Sequence, residues 1–198
     1  MQIIPQAQPF GEPFGETERL ILRPWRTTDR KPFAAMSADA DVMRYFPATL
    51  NEAASNALVD LLEARWAKNG FAFAAVERKA DRTFLGFIGL SRVPYETPFT
   101  PAVEIGWRLA RHAWGQGYAS EGARQALHWG FSALNLDEVV SFTAEQNAPS
   151  RRVMERIGMT RDEAEMFRPA MDGQSHPLRR VSCQSAPSLC GMVRSVLR

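Results

Sequence analysis

The most informative segment of this chain is Glu104-Ile-Gly-Trp-Arg-Leu-Ala-Arg-His-Ala-Trp-Gly-Gln-Gly-Tyr-Ala-Ser-Glu121. Apolar and polar residues alternate over Ala102–Leu109, which predicts a strand with one buried face. From Tyr118 to about Leu134 apolar residues recur every three or four positions, which predicts a helix. The two patterns meet at a glycine turn, so a strand, a short loop and a helix follow one another here.

The turn itself has the chemistry of an anion site. Gly115 and Gly117 lack Cβ atoms, so the backbone can approach a ligand closely. The first N–H groups of a helix are unpaired, and the helix dipole adds a positive field. Together these features favour a phosphate or pyrophosphate, although a plain tight turn fits the spacing equally well. No Lys-Ser/Thr pair follows, and Gly122 lies too late for a dinucleotide fingerprint.

The pattern continues outward in both directions as an alternation of strands and helices. Thr27 or Thr28 is predicted to cap a short helix that runs to about Ala38, and Asn51 is predicted to cap a longer helix closed by Gly70. A last helix is predicted to start at Asn147 and end at Gly158. The predicted strands are Thr17–Pro24, Phe71–Glu77, Phe84–Val93 (broken by two glycines), Ala102–Leu109 and Val139–Ala144.

The bulk composition fits a single globular domain of 198 residues and 22.2 kDa, with 45% hydrophobic residues. A net charge of +2 is too small to argue for nucleic acid as a partner. No apolar run approaches the length of a membrane span, and the first residues do not read as a signal peptide, so we expect a cytoplasmic protein. We predict a flexible N-terminal arm over residues 1–16, a domain over 17–180 and an atypical tail over 181–198.

Five motifs in order resemble a known family. Trp114-Gly-Gln-Gly-Tyr-Ala119 resembles the acetyl-CoA loop of the GNAT superfamily, in the form found in the Rim-type ribosomal-protein N-terminal acetyltransferases. The other four segments that carry the resemblance are Thr17–Pro24, Phe84–Leu90, Glu104–Leu109 and Asn147–Met159. The resemblance extends from residue 17 to about residue 160.

The resemblance implies a single α+β GNAT-like domain. Its sheet would be mixed, mostly antiparallel and twisted, flanked by helices, with a splayed parallel pair of strands at the cofactor site. The implied activity is N-acetyl transfer from acetyl-CoA, without a metal, to a primary amine that attacks directly in a ternary complex. The acceptor would be a protein N-terminus or a small-molecule amine, and the protein a monomer or homodimer without nucleic-acid or membrane partners.

The resemblance also assigns the residues that would bind acetyl-CoA. The backbone of the strand would pair with the pantetheine arm, the glycine turn would hold the pyrophosphate, and Asn147 would bind near the pantetheine. A plain helix cap explains Asn147 equally well. The residues of the strand and turn are Trp107, Arg108, Leu109, Trp114, Gly115, Gln116, Gly117, Tyr118, Ala119 and Ser120.

Two residues are candidates for catalysis. Glu104 would be the base, or else an exposed strand carboxylate. Ser150 would donate a proton to the leaving thiolate, or else be an ordinary residue of a helix's first turn. Relatives with a tyrosine use the position of Met154, which has no proton to donate. Two alternatives therefore stay open: a catalytically impaired acyl-CoA-binding module, and a nucleotide-phosphate binder.

Other features are predicted to stay outside the chemistry. His112 and His128 are expected on the surface with no role. Val181–Arg198 is rich in serine and cysteine and is not expected to form the final strand that relatives have. Five aromatic residues are expected either in the core or, for some, lining an acceptor pocket: Trp25, Tyr45, Phe46, Trp66 and Phe71.

Overall fold

The computed structural model describes residues 14–96, 99–167 and 178–184. The helices within these ranges are α1 (Arg30–Ala38), α2 (Glu52–Asn69), α3 (Tyr118–Ser132) and α4 (Ala148–Arg156). The strands are β1 (Gly15–Glu16), β2 (Leu20–Arg23), β3 (Phe73–Arg78), β4 (Phe84–Arg92), β5 (Val103–Leu109), β6 (Glu138–Ala144), β7 (Thr160–Phe167) and β8 (Leu178–Gln184). Short 3-10 turns at Thr27–Asp29 and Arg111–Ala113 precede α1 and the glycine turn.

The strands of the described residues form one sheet in the order β1-β2-β3-β4-β5-β6-β8-β7. Every neighbouring pair is antiparallel except β5 and β6, which run parallel. The predicted α+β fold, with a mixed and mostly antiparallel sheet, is confirmed. Within the described part of the chain, no helix is long and apolar enough to cross a membrane.

Helices cover both faces of the sheet. Phe87 and Ile88 are neighbours on β4, so their side chains point to opposite faces. The ring of Phe87 meets Phe33 of α1 at 6.2 Å between centroids, whereas Ile88 lies under α3 at Gly122. The α1 face and the α3 face of the sheet are therefore distinct surfaces.

A bulge in β4 brings this strand unusually close to β5. Val76 pairs with Gly86 and Glu77 with Phe84, so Leu85 is the extra residue. Gly86 has φ 131°, and a Cβ there would overlap the Arg108 carbonyl oxygen and lie 2.9 Å from Leu109 Cα. Only glycine, which has no Cβ, allows the backbones of β4 and β5 to come this close. The two glycines of β4 do not break the strand as predicted, because one forms this bulge within a continuous ladder.

The entry to α1 differs from the prediction. Thr27 and Thr28 do not cap the helix. Instead the buried carboxylate of Asp29 accepts hydrogen bonds from the Arg26 N–H at 2.8 Å and from the guanidinium of Arg23 at 2.7 and 2.8 Å. Asp29 occupies the N-cap position of α1, but its carboxylate binds these upstream donors and makes no side-chain cap bond to the helix.

The predicted caps of α2 are confirmed. Asn51 Oδ1 accepts the Ala54 N–H at 2.8 Å, and Gly70 closes the helix in the left-handed conformation.

The prediction of a flexible arm over residues 1–16 is wrong for its last three residues. Phe14 is 2% exposed, with its ring 4.6 Å from Trp66 and 4.4 Å from Trp129. Gly15 and Glu16 pair with β2. A single aromatic anchor among polar residues produces no periodic signal in the sequence. Residues 1–13 lie outside the described residues.

The prediction that Val181–Arg198 does not form the final strand is also wrong for Val181–Gln184. These residues complete β8, which pairs with β6 from Ala144↔Leu178 to Glu138↔Gln184. β8 lies between β6 and β7, so backbone hydrogen bonds on both edges hold it without a strong apolar alternation. Residues 185–198 lie outside the described residues.

Replacing Gly86 with alanine is expected to destabilise the fold by about 2–3 kcal/mol, because the new Cβ must displace β5 backbone. Denaturant unfolding would measure this. Gly158 has φ 81°, and a Cβ added there would meet nothing within 4 Å, so Gly158→Ala is a control that costs about 1 kcal/mol from backbone strain alone. Equal losses in both variants would contradict the close approach.

Candidate active site

The two parallel strands in the middle of the sheet hardly pair. Their register contains one residue pair, Glu104 with Val140, and beside it the Ser141 hydroxyl donates to the Ile105 carbonyl at 2.9 Å. Because the strands are parallel, their carboxyl ends reach the same edge of the sheet, where β5 leads to α3 and β6 leads to α4. Beyond this pair, a gap separates β5 from β6. The N-terminus of a helix lies at the end of each strand.

The free edge of β5 faces this gap. The Ala110 N–H donates to the Leu85 carbonyl of β4 at 2.9 Å, and in an antiparallel ladder alternate residues bond to the same neighbour. Trp107 and Leu109 therefore turn their backbone groups toward β6, and Arg108 turns its backbone toward β4. The Leu109 carbonyl accepts the Trp114 indole N–H at 2.8 Å. The backbone of Trp107 and the Leu109 N–H face the gap.

The glycine turn closes the end of the gap. Gly115 and Gly117 have φ 73° and 81°. Gly117 is the N-cap of α3 and has no side chain to cap it, so the first N–H groups of the helix are open to a ligand. A Cβ added at Gly115 would meet nothing within 4 Å. Tyr118 and Ser120 point into the core. The residues present fit a diphosphate group.

Arg19 of the β1–β2 connection is a part of this site that the sequence analysis missed. Its guanidinium donates to Glu121 at 2.7 Å and to the Gln116 carbonyl at 3.0 Å, and it lies 4.6 Å above the Tyr118 ring. Burial opposes ionisation of Glu121, but hydrogen bonds from Thr17 and Arg19 outweigh it and lower the pKa of Glu121. The only sequence signal is the motif Thr17–Pro24, whose alternation predicts a strand and no ligand contact.

The second helix N-terminus is that of α4. Asn147 Oδ1 accepts the Ser150 N–H at 3.3 Å, so the capping interpretation of Asn147 is confirmed. Ser150 is half-buried in the first turn, and Met154 is buried at 2% exposure. The predicted roles of Asn147 and Ser150 toward acetyl-CoA and the thiolate stay predictions.

Glu104 lies on the α1 face of β5. It is half-buried rather than exposed, and burial raises its pKa to about 7, with the positive charge of Arg65 acting in the opposite direction. Tyr95 lies near it: burial, and then the charge of Glu104, raise the pKa of Tyr95 to about 12. A carboxyl group that titrates near neutral pH is suited to proton transfer.

The other candidate residues divide as follows. Trp25, Trp66 and Phe71 belong to the core, Tyr45 is half-buried, and Phe46 is 39% exposed on the α1 face. His112 and His128 are exposed. In the described ranges, no group of three or more His, Cys, Asp or Glu residues could hold a metal ion.

Comparison with known proteins agrees with this geometry. Residues 19–160 match the family model of the acetyltransferase (GNAT) domain. The chain is 31% identical over 147 residues to a Bacillus subtilis (strain 168) protein named as the uncharacterized N-acetyltransferase YnaD, with 74% of this chain and 82% of that protein covered.

Two solved structures have the same fold. An acetyltransferase from Agrobacterium tumefaciens str. C58 is 27% identical with a TM-score of 0.71, covering 86% of this chain and 94% of that one. Mycobacterium smegmatis RimJ in complex with CoA-disulfide is 19% identical with a TM-score of 0.70, covering 94% of each chain.

This chain belongs to the GNAT acetyltransferase family. It is accordingly an acetyl-CoA-dependent acyltransferase.

Replacing Arg19 with glutamine is expected to weaken acetyl-CoA binding about tenfold, because it removes a cation beside the glycine turn and leaves the negative charge of Glu121 there without its ion-pair partner. Isothermal calorimetry would measure the change. Lys31→Gln is the control, since Lys31 is an exposed cation on α1, away from the turn. An unchanged dissociation constant in the Arg19 variant would show that this clamp does not serve the ligand.

Proposed function

We propose that this protein is an N-acetyltransferase that moves the acetyl group of acetyl-CoA to a primary amine by direct attack in a ternary complex. The gap between β5 and β6, with a helix N-terminus at the end of each strand, is the observation that carries the proposal. A protein N-terminus and a small-molecule amine are both compatible with it.

The residues around the gap have the groups that acetyl-CoA requires. Backbone groups of Trp107 and Leu109 face the gap and would pair with the amides of the pantetheine arm. Open N–H groups of the turn and first helical residues (Trp114, Gly115, Gln116, Gly117, Tyr118, Ala119 and Ser120) would hold the pyrophosphate. Asn147 would bind the arm from the α4 side. Arg19 adds positive charge at the turn.

The transfer needs a neutral amine, a stabilised oxyanion and a proton for the departing sulfur. The amine nitrogen attacks the acetyl carbon, forming the C–N bond while the C–S bond breaks. Glu104 takes the amine proton through a water, and the N–H of Trp107 or Leu109 stabilises the negative charge that develops on the acetyl oxygen. The Ser150 hydroxyl passes its proton to the departing sulfur while it takes a proton from a solvent water, so no alkoxide is left. Holding both substrates together supplies much of the rate.

Two titrations of the purified protein would test the binding half of the proposal. Acetyl-CoA is expected to bind with micromolar affinity, and ATP is not expected to bind, because the turn lacks the lysine and hydroxyl of a nucleotide loop. An assay of free thiol released in the presence of a panel of amines tests transfer. Binding without release would favour the impaired acyl-CoA-binding module, which the methionine at position 154 suggests. No binding would contradict the proposal.

Replacing Glu104 with glutamine is expected to lower kcat/KM about a hundredfold above pH 7. The base must be ionised, and the raised pKa of Glu104 is about 7, so wild-type activity should rise as pH increases through 7. The acceptor amine adds its own inflection at higher pH. The variant should lose the inflection near 7 and keep that of the amine.

Glu155→Gln is the matched control, since Glu155 is an exposed carboxylate on α4.

The pH dependence of stability gives a second readout for Glu104. A carboxyl with a raised folded pKa stabilises the fold below its unfolded pKa, and this contribution is lost as pH rises toward 7. Glu104→Gln should remove that loss. A wild-type inflection near pH 7 that persists in this variant would show that another group is the base.

A further inference from the structure

Arg108 is a buried cation that no described acidic group neutralises. Its residue is 9% exposed, and its Nε and Nη1 atoms are buried without a hydrogen-bond partner among the described residues. Burial lowers the pKa of Arg108 to about 10, and no acidic group of the described residues offsets the effect. The guanidinium therefore keeps its charge at neutral pH and has unused donors.

Three aromatic rings surround this guanidinium. Its Cζ atom lies 4.2 Å from the ring centroid of Phe46, 5.3 Å from that of Phe87 and 6.0 Å from that of Phe33. Cation–π contacts offset part of the cost of burying the charge, but aromatic faces do not satisfy N–H donors. The protein thus holds a fixed cation in an apolar cage, with Phe46 as the ring that reaches the surface.

The position of Arg108 on β5 relates it to the reaction. Glu104, Gly106 and Arg108 alternate along the strand, so they share the α1 face. The Cα atoms of Glu104 and Arg108 are about 13 Å apart along the strand, at about 3.3 Å per residue. Gly106 between them has no side chain, and the Phe73 ring, stacked on Phe87, lies over it. An acidic end and a basic end thus flank a flat apolar floor.

We propose that Arg108 binds a carboxylate of the acceptor, and that the acceptor is a small amine carrying such a carboxylate, of the amino-acid class. This inference rests on the proposed function and specifies its acceptor. The carboxylate would approach the guanidinium beside Phe46, the exposed ring of the cage, and accept hydrogen bonds from it. The amine would point toward Glu104 with a water between the two groups. The charges of site and ligand are complementary when the molecule lies in this direction along β5.

The chemistry of the cage favours an anion over a neutral ligand. An arginine fork matches the two oxygens of a carboxylate, and a site whose buried donors would otherwise stay unpaired discriminates strongly against a molecule that lacks the acceptor atoms. A protein N-terminus has a peptide carbonyl in place of the carboxylate, so the same cage would bind it more weakly.

The experiment compares α-amino acids with the corresponding α-amides as acceptors. The amide has the less basic amine, so it has the larger neutral fraction at pH 7.4, and any preference for the acid measures recognition of the carboxylate. The wild type is expected to prefer the acid at least about tenfold in kcat/KM. Arg108→Gln should lower kcat/KM for the acid about 10- to 100-fold, mainly through KM, and change the amide less than about twofold.

Two further variants separate recognition from general electrostatics and from folding. Arg65→Gln removes an equal charge that acts on Glu104 and should retain the preference for the acid. Arg108→Lys keeps the charge but loses the fork, so it should retain part of the preference. Removing a buried cation that has no acidic partner among the described residues is not expected to destabilise the fold. Thermal unfolding and acetyl-CoA affinity of each variant are measured alongside.

A binding measurement decides the question even without turnover. The CoA complex is titrated with N-acetyl amino acids and with their amides, and the acid should bind about tenfold more tightly in the wild type but not in Arg108→Gln. Acetylation of neutral amines with equal binding of acid and amide would overturn the role of Arg108 and leave the proposed function intact. A preference for the acid in binding, without acetylation of any amine, would support the role of Arg108 and contradict the proposed function. A preference that persists in Arg108→Gln would also overturn it.

Discussion

The separation of β5 from β6 is the constraint on which the rest of the site depends. A continuous parallel pair would satisfy its own backbone groups and leave no room for a ligand. Here each strand is held from its outer side, β5 by an antiparallel ladder with β4 and β6 by one with β8. The gap therefore stays open without collapsing, and the unpaired backbone of β5 is available to another extended chain.

Gly86 of β4 holds β5 in place from the edge of that strand that faces away from the gap. Its bulge lets β4 approach the backbone of Arg108 and Leu109 closely. The bulge therefore fixes the end of β5 at the point where the strand leaves the sheet and enters the turn. A substitution at Gly86 is thus expected to displace the backbone of β5 and thereby to change the site, although Gly86 itself does not contact the ligand.

Electrostatics divides the site into two regions. Around the glycine turn, the helix N-terminus and Arg19 create a positive field near solvent, suited to phosphate oxygens. On the α1 face, Arg108 is buried and Glu104 is half-buried. Burial raises the pKa of Glu104 and lowers that of Arg108, so it favours the neutral form of each group. Such groups reduce stability, and their presence together on one strand face is more simply explained by an acceptor with opposite charges than by packing.

The elements that depend on neighbouring residues could be predicted from the amino-acid sequence alone. The glycine turn, the caps at Asn51, Gly70 and Asn147, the strand alternation of β5 and the family resemblance all follow from spacing over a few positions. Features that depend on residues far apart in the chain became visible only in the folded protein. Arg19 reaches Glu121 across about a hundred positions, β8 is a strand because β6 and β7 flank it, and Phe14 is an anchor because two tryptophans meet it. Burial raises the pKa of Glu104, and Arg108 is buried without an acidic partner among the described residues. Periodicity indicates burial for apolar residues, but it does not indicate burial for a charged residue on a strand.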